Sequence, residues 1–199
     1  MKYKNSFFLD YWHYNVKNII IINIFIIKAI YYTLNTIESV ILKMNIRRAQ
    51  EKDIPRLIEL LEQVLQIHAD IRPDIFIPGT TKYTNEELAD MIKDDTKPIY
   101  VAAGDDDICM GYAFCQIRQQ PFSNNMVPFT SLFIDDLCVD AKTRGQHIGE
   151  QLFEHVKSEA KRLGCYEVTL NVWSGNTSAE KFYEKMGLKT KERQMEYIL

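Results

Sequence analysis

Residues 134–149, IDDLCVDAKTRGQHIG, constrain the fold of this chain more than any other stretch. An apolar run broken only by Asp135 and Asp136 gives way to a short polar turn and then to apolar residues at helical spacing. The segment therefore reads as a buried strand, a tight loop and the start of an amphipathic helix. Such a unit is also a phosphate cradle, because backbone N–H groups left unpaired at a helix start converge on one point and the helix dipole adds partial positive charge there. Arg144 offers a cation at the rim, and Gly145 and Gly149 let the backbone approach a ligand. The amides of Arg144, Gly145, Gln146, His147, Ile148 and Gly149 can turn toward a pyrophosphate.

From Met44 onward the chain alternates between strand and helix patterns. Asn45 to Ala49 reads as a strand and Glu51 to Gln66 as a helix, with Leu57, Leu61, Val64 and Leu65 on its apolar face and Pro55 in its first turn. Pro73, Pro78 and Gly79 break up residues 68–81, a long connection of the kind that serves as a binding loop. Thr84 and Glu87 predict a capping box for a helix ending at Asp95. Pro98 to Ala103 and Ile108 to Gln119 read as a hairpin across the acidic turn GDDD, and Phe129 to Val139 as a central strand. Residues 148–163 form a helix stopped by Gly164, 166–173 a strand, and 178–186 a helix stopped by Gly187. Leu188 to Leu199 is expected to pair as a last strand or hairpin. Strands interleaved with helices predict a mixed α/β sheet.

Residues 1–43 differ from the rest. Ile, Asn, Lys, Tyr and Phe make up 28 of these 43 residues, with no Gly or Pro, and these types are encoded by A/T-only or A/T-rich codons. Met44 is therefore expected to be the natural start, with 1–43 an upstream extension read in frame. The alternative is a membrane-associating helix over residues 19–34, although the apolar run 19–30 is broken by Asn23 and Lys28 and falls short of the roughly 20 apolar residues a span needs. The same 43 residues carry five Lys against Asp10 and Glu38, so a formal +3 within a total of −3 leaves −6 for residues 44–199. An acidic body lacks the basic footprint of a nucleic-acid binder and suits a cationic small substrate. Cys109, Cys115, Cys138 and Cys165 show no CxxC and no His at ligand spacing, which argues against a metal site or disulfide framework and for a reduced, cytoplasmic setting.

The stretch NTSAEKFYEKMGL, residues 176–188, supplies the cradle's partner. Together the two stretches resemble the GCN5-related N-acetyltransferase (GNAT) superfamily. Arg144, His147 and Gly149 fill its phosphate-loop signature of Arg or Gln, two residues, Gly, one residue, and Gly or Ala, with His standing in the middle place. His is among the non-Gly residues that tolerate positive φ. Asn176, Ala179, Tyr183, Gly187 and Leu188 match the helix after the fifth strand in order and spacing. The resemblance implies a mostly antiparallel central sheet flanked by helices, with acetyl-coenzyme A as co-substrate in an opening between the fourth and fifth strands. It also implies that the backbone of Leu137, Cys138 and Val139 holds the pantetheine arm, with Arg144 to Gly149 and Asn176 completing the cofactor site.

Acetyl transfer to an amine needs a neutral nitrogen, a stabilised oxyanion and a protonated leaving thiolate. An alkylammonium with a pKa of about 10 must first give up a proton. Asp135 and Asp136 are the candidate carboxylates, and strand alternation is expected to turn them to opposite faces. Resemblance to polyamine acetyltransferases implies Asp135 as base and Asp136 as the substrate contact. Tyr183 is the candidate general acid for the thiolate, a backbone amide near Cys138 the candidate oxyanion donor, and His68 a candidate wall of the acceptor pocket. The predicted activity is direct transfer of acetyl to a primary amine of a small cationic acceptor, polyamine-like or an amino sugar. The rival readings are a protein N-terminal or lysine acetyltransferase and, because of His147, a non-catalytic coenzyme A-binding regulatory module. A homodimer is compatible with the sequence.

Overall fold

In a computed structural model of the chain, residues 26–28, 44–120 and 124–199 are described. The upstream-extension reading of residues 1–43 and the membrane-contact reading of 19–34 lie outside the described residues, apart from 26–28. Among the described residues no helix is long and apolar enough to cross a membrane. Residues Met44–Leu199 make one unit.

Five strands form one sheet in the order β1 (Asn45–Arg48), β2 (Ile99–Ala103), β3 (Cys109–Gln119), β4 (Thr130–Val139) and β5 (Glu167–Leu170). The first three pairings are antiparallel and β4–β5 is parallel, giving the mixed, mostly antiparallel sheet that the sequence predicts. Helices α1 (Ile54–Ile71) and α2 (Asn85–Lys93) cover one face, where Leu57, Leu60, Leu61 and Leu88 pack on Val101, Tyr112, Phe114 and Cys138. Helices α3 (Ile148–Arg162) and α4 (Thr177–Lys185) cover the other, where Phe153, Val156, Phe182 and Tyr183 pack on Tyr100, Cys115, Leu132 and Ile134. The Thr84 capping box forms as predicted, with Glu87 N–H donating to Thr84 Oγ1 at 3.2 Å and Thr84 N–H to Glu87 Oε2 at 2.8 Å.

Three departures from the sequence reading bear on the site. Helix α1 runs past Gln66 to Ile71, which brings His68 into its last turn. It stops where Pro73 forces Arg72 out of the helical region, at φ −133° and ψ 70°. Strand β5 is only four residues long, and Leu188 to Leu199 adds no strand beyond it. So short an edge offers too few ladder bonds to offset the entropy of ordering a Lys- and Glu-rich tail. The tail is instead tethered through Lys191 to Glu167 and through Glu196 to Arg72.

The third departure lies within β4. Phe114 pairs with Asp136 but Cys115 pairs with Ile134, so Asp135 is an extra residue, a β-bulge. A bulge interrupts alternation, and Asp135 and Asp136 both turn to the α1/α2 face, contrary to the opposite-face expectation.

Just beyond this bulge β3 and β4 lie hard together. A Cβ on Gly111 would stand 2.7 Å from the Cys138 carbonyl oxygen and 3.3 Å from Val139 Cα, both backbone atoms of β4. Gly111→Ala must push the strands apart and is expected to cost about 1–3 kcal/mol, measured as a lowered midpoint in thermal or urea unfolding.

Candidate active site

Pairing between β4 and β5 ends at Ile134 with Leu170, while β4 continues to Val139. The sheet therefore opens there. Asp140 N–H donates to Met110 O at 2.8 Å, which fixes the phase of the β3–β4 ladder. Because bonded and non-bonded pairs alternate, Cys138 also turns its backbone groups toward β3, and Leu137 and Val139 turn theirs into the opening. The oxyanion donor expected near Cys138 is thus better sought in the amides of Leu137 and Val139. Arg144 folds back across the mouth, its Nε donating to Val139 O at 3.3 Å.

The loop after β4 is built as a cradle. Gly145 has φ +82° and His147 φ +60°, ψ 14°, so two left-handed residues turn the chain into α3, with His147 as the N-cap. Among the described residues, the amides from Gly145 to Glu150 donate no hydrogen bond to the protein, and the first to do so is Gln151, to His147 O at 3.0 Å. A run of unpaired amides at the start of a four-turn helix fits the phosphates of a coenzyme. Glu150, the one acid in that first turn, is compensated by Lys185 Nζ at 2.5 Å and His147 Nδ1 at 3.1 Å, and these partners hold its carboxyl below the usual range. Gly149 serves packing more than ligand approach, since its Cβ direction meets Phe182 and Val139 at 3.4–3.5 Å. Asn176 caps α4 by accepting Ala179 N–H at 3.2 Å, which commits its oxygen and leaves its amide nitrogen for a ligand.

What anchors this loop was not read from the sequence. Buried Asp140 accepts a short bond from Arg56 and one of 3.3 Å from Gln63, and Gln63 Oε1 accepts Ala141 N–H at 3.1 Å. Arg56 and Gln63 stand seven residues apart, two turns along α1. Paired polar residues at that spacing beside an apolar face were the signal available.

The acid pair lies on the α1/α2 face. Asp135 Oδ2 accepts Lys82 Nζ at 2.9 Å, and Tyr83 OH lies 3.5 Å away. Asp136 has its pKa pushed up to about 6. Burial is the main cause and the Asp135 charge adds to it, against the pull of the Lys82 ammonium. The neighbouring Tyr112 hydroxyl is fully buried beside Asp136, and burial together with that carboxylate raises its pKa. His68 is held below its usual pKa by burial and by Lys82, so it is neutral at pH 7. Its ring meets Phe76 at 5.1 Å, and Phe76 meets Trp173 edge-on at 5.2 Å, forming an aromatic wall. Lys82, Tyr83 and Phe76 are thus additions to the residues read from the sequence.

Tyr183 reaches the sheet from the other face, with Phe182 and Phe153 around its ring. Burial raises its pKa, and the Asp136 charge raises it further, which places the two groups within electrostatic reach. An ordinary phenol, at about 10, is already a weaker acid than a thiol at about 8.5. Complete proton transfer to a free thiolate is therefore uphill, and the environment steepens it. Tyr183 can act as a neutral hydrogen-bond donor to developing charge on sulfur. Cys138 is no rival nucleophile: it is buried, donates to Leu60 O at 3.6 Å, and burial pushes its thiol up to about 12.

Residues 61–188 match the Acetyltransferase (GNAT) family. The chain belongs to this family, an acetyl-coenzyme A-dependent group of N-acyltransferases. It is 28% identical over 152 residues to the peptidyl-lysine N-acetyltransferase YjaB of Salmonella typhimurium, covering 75% of this chain and 86% of that one. It is 37% identical over 62 residues to glucosamine 6-phosphate N-acetyltransferase of Arabidopsis thaliana, 31% of this chain and 40% of that protein. Among solved structures, the mutant BH1408 protein of Bacillus halodurans superposes with a TM-score of 0.75 at 26% identity, over 78% of this chain and 99% of that one.

The two left-handed positions of the cradle can be compared by substitution. His147→Gly removes a side chain from a left-handed position and is expected to be neutral or stabilising by about 0.5–1 kcal/mol. Gly145→Ala, at φ +82°, should destabilise by about 1 kcal/mol. Thermal unfolding with and without coenzyme A would show both the intrinsic shift and any change in the ligand-induced one.

Proposed function

We propose that this chain transfers acetyl from acetyl-coenzyme A directly to a primary alkylamine, with a small cationic acceptor, polyamine-like or an amino sugar, as first choice. The observation that carries the reading is the acid pair on one face of β4, engaged with an alkylammonium at 2.9 Å. Relatedness to a peptidyl-lysine acetyltransferase over most of its length supports a second reading, with a protein lysine as acceptor.

Magnitudes support a division of labour between the two carboxylates. Asp135 is already bonded to a cation, so we give it the task of holding the ammonium. We give Asp136 the proton, reversing the roles implied by family resemblance. Proton transfer from an ammonium at about 10 to an ordinary aspartate at about 3.9 is uphill by about 8 kcal/mol. At a pKa of about 6 the gap falls to about 5 kcal/mol, within the barrier of roughly 14–17 kcal/mol that ordinary turnover allows. The raised pKa still leaves Asp136 mostly ionised at neutral pH.

In this reading the amides of the 145–150 cradle hold the phosphates, Leu137 and Val139 hydrogen-bond the pantetheine arm, and one of their amides receives the oxyanion. Acetyl-coenzyme A supplies the activated acyl group. Tyr183 donates a hydrogen bond to the departing sulfur, and His68, Phe76 and Trp173 wall the acceptor.

Asp136→Asn should abolish the inflection near pH 6 in kcat/KM and lower the rate by about 10²–10⁴-fold. The same variant should be more stable at pH 8. Asp136 has a folded pKa above its unfolded one, so it favours folding below about pH 4 and loses that contribution as pH rises through about 6, a difference of up to about 3 kcal/mol. A lower melting temperature at pH 8, or an unaltered pH profile, would remove Asp136 from the role of base. Tyr183→Phe should lower kcat by about 10–10³-fold with little change in coenzyme A affinity, read by thiol release and calorimetry.

A further inference from the structure

Lys82 differs from the other described lysines in where its amine is held. It leaves the connection between α1 and α2 two residues before the Thr84 N-cap, and the side chain is 43% exposed. Its Nζ nevertheless lies within the acceptor end of the site, 2.9 Å from Asp135 Oδ2 and 5.2 Å from the Tyr83 ring centroid. Its charge also acts on Asp136 and His68. These are the groups that the reading above assigns to the substrate amine. A partly exposed ion pair is worth only about 0–1 kcal/mol, so the contact with Asp135 is readily broken and remade. Tethering supplies the amine at an effective concentration in the millimolar range or higher.

We propose that Lys82 is an acceptor built into the chain: in the absence of an external amine, its Nζ is acetylated in cis. The inference rests on the acetyl-transfer reading. The Lys82 ammonium gives one proton to Asp136, and its nitrogen forms a bond to the acetyl carbon. The carbon–sulfur bond breaks with its electron pair on sulfur. Of the two protons lost by nitrogen, one ends on the coenzyme A thiol and one in solvent. Acetylation removes the charge that occupies Asp135, so the acid pair is released for an incoming ammonium and one turnover on Lys82 opens the site for later ones.

The test uses the full chain incubated with acetyl-coenzyme A alone and followed by intact mass and peptide mapping. We expect a single gain of about 42 Da, one acetyl group, mapping to Lys82 and appearing with a rate constant unchanged on about tenfold dilution, as an intramolecular step requires. It should be absent in Lys82→Arg, which keeps the charge, and slowed about 10-fold or more in Tyr183→Phe. Millimolar amine acceptor should protect Lys82. Label spread evenly over exposed lysines, or a rate proportional to protein concentration, would overturn the inference. Melting with acetyl-coenzyme A separates the two claims. No rise in Tm defeats the transferase reading itself, whereas a rise with thiol release on external amines and an unmodified Lys82 defeats only the proposal made here.

Discussion

The extra residue in β4 is the constraint on which the rest of the site depends. Without it, a regular strand would turn one of two adjacent aspartates into the apolar core beneath α3 and α4. With it, both reach the α1/α2 face, Asp135 takes up a cation, and the buried Asp136, beside that carboxylate, acquires a pKa of about 6. The bulge also sets the ladder phase downstream, which decides that Leu137 and Val139 present their backbone to the opening. A single inserted residue thus places the electrostatic and hydrogen-bonding halves of the chemistry together.

The fold was legible in the sequence where a local rule is strong. The Thr84 capping box, the hairpin of β2 and β3, and the glycine stop of α3 each follow from short patterns whose physics is local. His147 was legible too: its tolerance for a left-handed backbone is a property of the residue type, and it adopts that conformation as the N-cap of α3. The bulge was not, because register depends on the neighbouring strand and two adjacent acids look the same in either register. The fate of Leu188 to Leu199 was not legible for a related reason. Strand formation needs an edge to pair with, and the brevity of β5 is a tertiary fact. Lys82 escaped notice because a lysine in a loop is ordinarily solvated, and only folding brings it to β4.

Anchoring of the cradle distributes the site across the molecule. The loop after β4 is pinned to α1 through Asp140, Arg56 and Gln63, while α1 carries His68 at its far end. One helix therefore holds the loop after β4 through Arg56 and Gln63 and carries His68 in its last turn. The 2.7 Å bidentate contact of Arg47 with buried Asp53 fixes the entry to that helix from β1. Stability and site geometry are consequently coupled through α1.

The acceptor wall has a different consequence. His68, Phe76, Lys82 and Tyr83 come from one continuous stretch, the end of α1 and the connection to α2, whereas the cradle comes from the turn between β4 and α3. The two segments share no residue, and α1, which carries His68 at its end, holds the cradle loop through Arg56 and Gln63. Substitutions in the connection between α1 and α2 therefore leave the Asp140–Arg56–Gln63 anchor of the loop after β4 intact, so the two segments can change independently of each other.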